Sequence, residues 1–321
     1  MLMRAAVIDR TGDPDVFHIA QVTAPHRISA EFLVRVHAAG INPIDTKTRA
    51  GGGTSAAIAA FPAVLGHDFS GTVLESPDAA HPIRPGDEVF GMIMSPRFSG
   101  SFGEIAAVPS LSVARKPATL GHVEAAAVPI AALTAWRCVT ELASAAPGRR
   151  VLIHAAAGGV GHFAVQFAHH LGAHVIATSS ASHADFVRSL GADEVVDYRR
   201  QRFEEVIDPV DAVIDLIGNV HDDTGTRSLG VLKPGGLIVN VPTGSWPSFF
   251  DDVARAGVRG TDVKVAPDAR VLAKIGALID EGTVRVHLEE VFNLADMGRA
   301  HELVETGHVA GKVAVRIARE E

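Results

Sequence analysis

Over roughly the first 125 residues, apolar positions alternate with polar ones in short runs that turn residues keep interrupting. Phe32-Leu33-Val34-Arg35-Val36-His37 is rich in β-branched residues and partly alternating. Pro85-Gly86-Asp87-Glu88 leads into Val89-Phe90, and Ser101-Phe102-Gly103-Glu104 leads into another short run. Strands this short and this densely punctuated predict a small barrel or sandwich. From about residue 126 the rhythm changes. Apolar strand-length runs at 151–154, 175–178, 194–196, 211–215 and 236–240 alternate with helical spacing, clearest over 161–171 and 183–190. That alternation predicts an α/β fold, a doubly wound parallel sheet with helices on both faces. After Val263-Lys264-Val265 a helix is expected over about 268–281, then strand-like Val284-Arg285-Val286. A last strand over 313–317 is expected to rejoin the first domain. The expected organisation is thus a discontinuous domain, 1–125 with 267–321, and an inserted domain, 126–266.

A chain of 321 residues is long enough for two such domains. Hydrophobic residues at 47% and charged ones at 21% are ordinary for a globular protein. Aromatics are only 5%, so the cores must rest on Ala, Val, Leu and Ile. The net charge is −8, and no basic stretch is interleaved with aromatics, so no nucleic-acid footprint is written here. Cys138 is the only cysteine, which excludes an internal disulfide and a thiolate zinc site and fits a reducing compartment. The longest apolar run, 125–133, contains Pro129 and is far short of the ~20 residues of a membrane span. Residues 1–8 run into a strand pattern without the layout of a secretory signal, so a cytoplasmic location with no membrane partner is expected.

The strongest chemical signal is Val151-Leu152-Ile153-His154-Ala155-Ala156-Ala157-Gly158-Gly159-Val160-Gly161. A buried strand ends, small residues turn the chain, and a helix opens with its free N–H groups and positive dipole end facing outward. That is a cradle for the diphosphate of a dinucleotide. Gly158 permits close backbone approach and Gly161 permits tight packing of helix on strand. Ala156 stands where the first glycine of G-x-G-x-x-G belongs, which leaves a packing turn as the alternative. NAD-binding versions place an acid at the end of the second strand. Here that place reads Thr178-Ser179-Ser180-Ala181-Ser182-His183, and the first carboxylate is Asp185. Hydroxyls can donate to a 2′-phosphate, His183 can become cationic beside it, and Arg199 and Arg200 lie beyond the next strand. The cofactor expected is NADPH.

With these residues read, the chain resembles the zinc-independent quinone oxidoreductase and enone reductase branch of the medium-chain dehydrogenase/reductase superfamily. The matching blocks run nearly end to end. They are Gly40-Ile41-Asn42-Pro43-Ile44-Asp45-Thr46-Lys47, Leu65-Gly66-His67-Asp68, Pro85-Gly86-Asp87-Glu88-Val89-Phe90-Gly91, Leu133-Thr134-Ala135-Trp136, the cradle, Leu190-Gly191-Ala192-Asp193, Leu232-Lys233-Pro234-Gly235-Gly236, and Glu305-Thr306-Gly307-His308 with Gly311-Lys312. The resemblance implies a GroES-like catalytic domain, a Rossmann domain, a cleft between them and a homodimer. Asn42 stands where zinc relatives carry a cysteine, while His67 and Asp68 match their histidine and glutamate. Without soft partners these cannot form the usual zinc site, and no metal is expected. His169, His170 and His174 are read as belonging to a solvated helix face or its end.

Without a metal to polarise a carbonyl, the acceptor must be activated already or met by hydrogen-bond donors. A conjugated enone suits this, because hydride adds to its β-carbon and charge gathers on oxygen; a donor there is worth ~10²–10³ in rate. By resemblance Asn42 and Lys47 face the nicotinamide, with Lys47 as in plant-type enone and alkenal reductases; a surface lysine paired with Asp45 is the other reading. Thr134 and Asn42 carry over as contacts near the nicotinamide, and Gly159, Val160, Ser179 and Tyr198 along the phosphates and adenosine. Gly218, Val241 and Thr243 follow later strands whose ends should face the cofactor. The acceptor, a small apolar electron-poor molecule, should be lined by 49–62, 92–102 and the aromatic cluster Ser245-Trp246-Pro247-Ser248-Phe249-Phe250, unless that cluster is core. The function expected is zinc-free NADPH-dependent reduction of an enone C=C. A quinone reductase, an enoyl-thioester reductase and a non-catalytic NADPH-binding protein are the alternatives.

Overall fold

The computed structural model describes residues 1–94 and 100–318, so part of the expected acceptor loop 92–102 lies outside the described residues. These residues gather into two compact units: Met1–Leu133 with Ala266–Glu321, and Thr134–Val265. The strands before residue 134 are β1 (Leu2–Ile8), β2 (Phe17–Thr23), β3 (Glu31–Ile41), β4 (Ala63–Val64), β5 (Asp68–Glu75), β6 (Glu88–Met92), β7 (Ile105–Pro109) and β8 (Val113–Arg115). Those of the second unit are β9 (Arg150–Ile153), β10 (His174–Ser179), β11 (Glu194–Asp197), β12 (Val210–Asp215), β13 (Leu232–Asn240) and β14 (Arg259–Asp262). Then β15 (Leu288–Asn293) and β16 (Lys312–Arg316) return to the first.

In the first unit β3 is the organising strand. It pairs with β7 over its first half, with β16 over its second, and with β5 along its other edge, all antiparallel. The register sets Ile41 opposite Val313 and Gly40 opposite Asp68. The residues just past these pairs, Asn42 and Lys312, and the first residue of β5 therefore meet at one end of three neighbouring strands. A smaller sheet, β2-β1-β4, is stitched on by Ala6 N–H to Phe102 O (2.9 Å) and Glu104 N–H to Arg4 O (3.1 Å). Between the sheets lies a core in which Phe32, Phe69 and Phe102 join many Val, Ile and Ala side chains. The unit continues past residue 125 to Leu133 rather than stopping there. The helix His122–Ala126 packs on β3 so closely that a Cβ at Gly40 would lie 2.4 Å from Ala126 O.

The second unit's sheet is parallel throughout, in the order β11-β10-β9-β12-β13-β14. Its winding reverses between β9 and β12, the switch point where such sheets take ligands. Val151, Leu152 and Ile153 are wholly buried, as a central strand covered on both faces requires. Two features depart from the sequence reading. The edge strand is polar Arg259-Gly260-Thr261-Asp262, which the apolar pattern does not mark, because at an edge backbone pairing with β13 needs little apolar surface. Val284-Arg285-Val286 is not a strand. The chain leaves the helix Ala269–Asp280 by bonding Thr283 and Val284 N–H to Leu278 O, which buries Val284, and pairing begins only at Leu288.

Candidate active site and cofactor cradle

At the shared end of β16, β3 and β5 a chain of buried polar groups is complete. Asn42 caps the helix Pro43–Arg49, its N–H donating to Asp45 Oδ2 at 2.8 Å. Its side-chain amide is held from both sides: Nδ2 donates to Asp68 Oδ2 (2.9 Å) and Oδ1 accepts from Lys312 Nζ (2.5 Å). Lys312, almost wholly buried, also donates to Ile41 O at 2.8 Å, and Asp68 Oδ1 accepts from Ile130 N–H at 3.0 Å. Burial pushes the Asp68 carboxyl up to about 6 even though Lys312 and the Asn42 amide pull it down. Burial likewise draws the Lys312 ammonium below its ordinary value, against the opposing pull of Asp68 and Asp45. Two buried opposite charges bridged by an amide keep each other ionised more cheaply than either would alone.

Asp45 turns its other oxygen, Oδ1, to His67 Nδ1 at 2.5 Å. Burial alone would lower the His67 pKa; the charge and hydrogen bond of Asp45, with Asp68 adding, raise it instead. His67, Asp45, Thr48 and Thr54 are polar side chains lining a cavity of about 90 Å³ whose other walls are mostly apolar, among them Ala57, Ile58, Pro62, Leu65, Ile93 and Met94. Segments 49–62 and 92–102 thus do meet around one space, as far as the described residues reach. The aromatic cluster belongs to the second unit. Trp246 and Phe249 are buried in the second unit's core beside Leu152 and Ile238, with ring centroids 5.1 Å apart, and Trp246 Nε1 donates to Asp252 Oδ2 at 2.8 Å. Pro247, Ser248 and Phe250 are exposed, so the two large rings Trp246 and Phe249 belong to the core while the rest of the cluster lies at the surface. Lys47 is exposed on the helix Pro43–Arg49, while the buried Asp45 carboxylate is turned to His67 and the Asn42 N–H. Sequence reading missed the His67–Asp45 pair and Lys312, although Gly311-Lys312 stood out as a matched block.

In the second unit the turn from β9 into the helix Gly161–His170 has the form a diphosphate needs. Ala155 takes a positive φ of 46°, and Gly158 N–H closes the turn on Ala155 O at 2.9 Å. The Gly158 amide is therefore bonded within the loop. The amides placed to open toward a ligand are those of Gly159, Val160 and Gly161, ahead of the first helical bond, His162 N–H to Gly158 O at 3.0 Å. Gly158, Gly159 and Val160 are partly exposed. Gly161 must be glycine: a Cβ there would lie 2.3 Å from Ala155 O and 2.8 Å from Ala156 Cα. A loop that keeps side chains out and turns amides outward fits a nicotinamide dinucleotide.

The remaining candidates lie at the carboxyl ends of the same strands. Ser179 ends β10, buried, with Oγ donating to Ser180 O, and its own carbonyl accepts Tyr198 N–H at 3.3 Å. Tyr198 is half exposed under the Arg199 guanidinium, 5.7 Å from the ring centroid. His183 is half-buried with Nδ1 3.4 Å from Ser180 Oγ. Gly218 follows β12 at φ 71°, its N–H donating to Asp215 Oδ1 at 2.9 Å. Val241 N–H bonds Asp215 O at 3.0 Å, and exposed Thr243 accepts from Lys264 Nζ at 3.1 Å. Thr134 is buried in the helix Pro129–Trp136. His169 and His170 are exposed at a helix end, and His174 opens β10 bonded to Glu194 Oε1 at 2.6 Å.

Comparison with known proteins agrees with this geometry. Residues 29–118 match the family described as alcohol dehydrogenase GroES-like domain, and residues 190–315 the one described as zinc-binding dehydrogenase. The chain is 33% identical to the NAD(P)H oxidoreductase RTN4IP1, mitochondrial, of Danio rerio, over 100% of this chain and 92% of that protein. It is 31% identical to the NADPH-dependent alkenal/one oxidoreductase, chloroplastic, of Arabidopsis thaliana, over 98% and 79%. The structure of the quinone oxidoreductase from Coxiella burnetii superposes with a TM-score of 0.93 at 35% identity, covering 99% of this chain and 100% of that one. A GroES-like barrel, a Rossmann sheet with its phosphate turn and these full-length likenesses have one reading: the chain belongs to the zinc-independent quinone oxidoreductase and enone reductase branch of the medium-chain dehydrogenase/reductase superfamily, and is an oxidoreductase that uses a nicotinamide cofactor.

Proposed function

We propose that the chain reduces the C=C bond of small, apolar α,β-unsaturated carbonyl compounds with NADPH. The observation that carries this reading is the cavity: mostly apolar walls suit a hydrocarbon skeleton, and His67 with Asp45 is its one pair of ionisable side chains among the described residues to meet a carbonyl oxygen. The likeness to an alkenal/one oxidoreductase supports the same acceptor class. Bound, the dihydronicotinamide supplies a hydride. The chain's residues do the rest. Gly159, Val160 and the opening of the helix Gly161–His170 hold the diphosphate, and Ser179, His183, Tyr198, Gly218, Val241 and Thr243 line the rest of the cofactor. A 2′-phosphate is favoured because the end of β10 offers serines and no carboxylate, with Arg199 stacked on Tyr198 nearby. Asn42, its amide fixed by Asp68 and Lys312, and Thr134 orient the nicotinamide, and Lys47 steadies charge on the acceptor or grips the ribose.

The test is direct: purified protein with NADPH or NADH and a panel of enones and quinones, with products identified. Saturated ketones formed at the expense of NADPH support the reading; turnover of quinones alone rejects it. Quinone reduction is the second reading, favoured by the full-length superposition on a quinone oxidoreductase. A homodimer and a cytoplasmic location belong to the same proposal. The buried lone cysteine suits a reducing compartment, although the Danio rerio relative is named as mitochondrial. Among the described residues no helix is long and apolar enough to cross a membrane.

A further inference from the structure

Hydride transfer leaves one proton to be supplied, and a histidine lines the cavity. His67 is buried, lines the cavity, and holds Nδ1 against a carboxylate that is itself inaccessible to solvent. Asp45 cannot swing away. Its Oδ2 accepts the Asn42 N–H as the return arm of the helix cap, and the helix carries it at a fixed position. A carboxylate locked on Nδ1 sets the ring's orientation and stabilises its imidazolium form. With Nδ1 so held, any proton exchanged with a molecule in the cavity passes through Nε2.

We propose that His67 is the proton donor to the acceptor's carbonyl oxygen, with Asp45 as the positioning residue that holds its ring. This rests on the reading of the cavity as the acceptor site, and it applies to enone and quinone alike because both gather negative charge on a carbonyl oxygen. For an enone, a C–H bond forms at the β-carbon as hydride arrives and the π electrons move onto oxygen. The His67 Nε2–H bond breaks, an O–H bond forms, and the enol relaxes to the saturated ketone. Solvent returns a proton to the ring. One hydride and one proton are consumed, which balances the reduction. Among the described residues, Asp45 from the helix Pro43–Arg49 and Asp68 from β5 both favour the His67 imidazolium. The neighbouring cavity walls add neutral Thr48 and Thr54 and apolar side chains.

The experiment compares wild type, His67→Asn and Asp45→Asn, with circular dichroism confirming that each folds. For His67→Asn, kcat is expected to fall roughly 10²-fold with little change in KM, the usual size of a general-acid contribution. The decline of kcat at high pH should disappear with it. Asp45→Asn keeps an oxygen for the Asn42 N–H while removing the charge that favours the imidazolium, so that decline should move to lower pH. A readout free of cofactor and turnover is the binding of 4-nitrophenolate, an anionic oxygen on a flat ring. Wild type should bind it about tenfold more tightly than His67→Asn, with the imidazole ¹⁵N resonances shifting to the protonated form. If no enone is turned over, kcat is read on a quinone and the nitrophenolate result still stands, so a wrong acceptor class is told apart from a wrong proton donor. Full kcat with an unchanged pH profile in His67→Asn, or equal nitrophenolate binding by both proteins, overturns the proposal.

Discussion

Gly161 shows how one absent side chain holds a site open. The backbone of Ala155 and Ala156 leaves no room for a methyl group, so Gly161→Ala must push the helix from the turn, at a typical cost of about 1–3 kcal/mol. Calorimetry should show NADPH affinity falling at least tenfold, while global stability falls by no more than that cost. Two buried histidines set an acid limit of a different origin. His154, between Thr178 Oγ1 and Ser228 Oγ, is lowered to about 3 by burial, and His301, edge-on to Phe17 and Phe102, is lowered to about 4 for the same reason. Each takes up a proton in the unfolded chain at 6.5 but not in the folded one until far lower pH, so the unfolded state binds more protons in between. Stability is therefore whole above 6.5 and is lost as pH falls toward 4. Neither ring nitrogen of His301 has a partner among the described residues. His301→Leu should then stabilise the fold at pH 5 by about 1–3 kcal/mol in denaturant titrations and reduce the slope of stability with pH.

At the level of elements, register does what no single residue can. Lys312 reaches Asn42 because β16 pairs with β3 so that Val313 faces Ile41, though 270 positions separate the two partners. Lys312→Met should leave Asp68 buried without its cation and Asn42 Oδ1 without its donor. A loss of about 3–5 kcal/mol is expected, the usual result of removing one half of a buried pair. The double variant Lys312→Met with Asp68→Asn should recover part of that loss, as equilibrium unfolding would show. Arg49 plays a similar part between helices. Buried at the end of the helix Pro43–Arg49, it donates to Gly12 O at 2.7 Å and pairs with Glu305 of the helix Met297–Glu305. Arg49→Leu should cost about 1.5–3 kcal/mol, the range for hydrogen bonds to a charged group.

For the whole molecule, cofactor binding is the property most easily measured. A ligand that binds only the folded state adds about 2.7 kcal/mol at a hundred times its Kd. NADPH should raise the melting temperature more than NADH at equal concentration, because the serines after β10 can donate to a 2′-phosphate and no carboxylate follows that strand to hold the ribose of NADH. Equal shifts would remove the preference. The strand–helix rhythm and the cradle were legible because each is written in adjacent residues: a β-branched run, a small-residue turn, an apolar helix face. The polar edge strand Arg259–Asp262 was not, since pairing at a sheet edge leaves little hydrophobic trace. The aromatic cluster Trp246–Phe250 stayed open between two readings for a related reason, because a ring that prefers apolar surroundings fits a core and a ligand wall equally well.

Sequence alone determined what depends on short-range chemistry: an α/β chain of two parts, a phosphate turn built on Gly158–Gly161, one cysteine and no thiolate metal site. Tertiary structure decided what depends on partners distant along the chain. It took pairing across the sheet to set Lys312 and Asp68 on either side of the Asn42 amide, and a cap on one helix to aim Asp45 at His67. Backbone register, summed over many hydrogen bonds, fixes such distances, and no local pattern of residues records it.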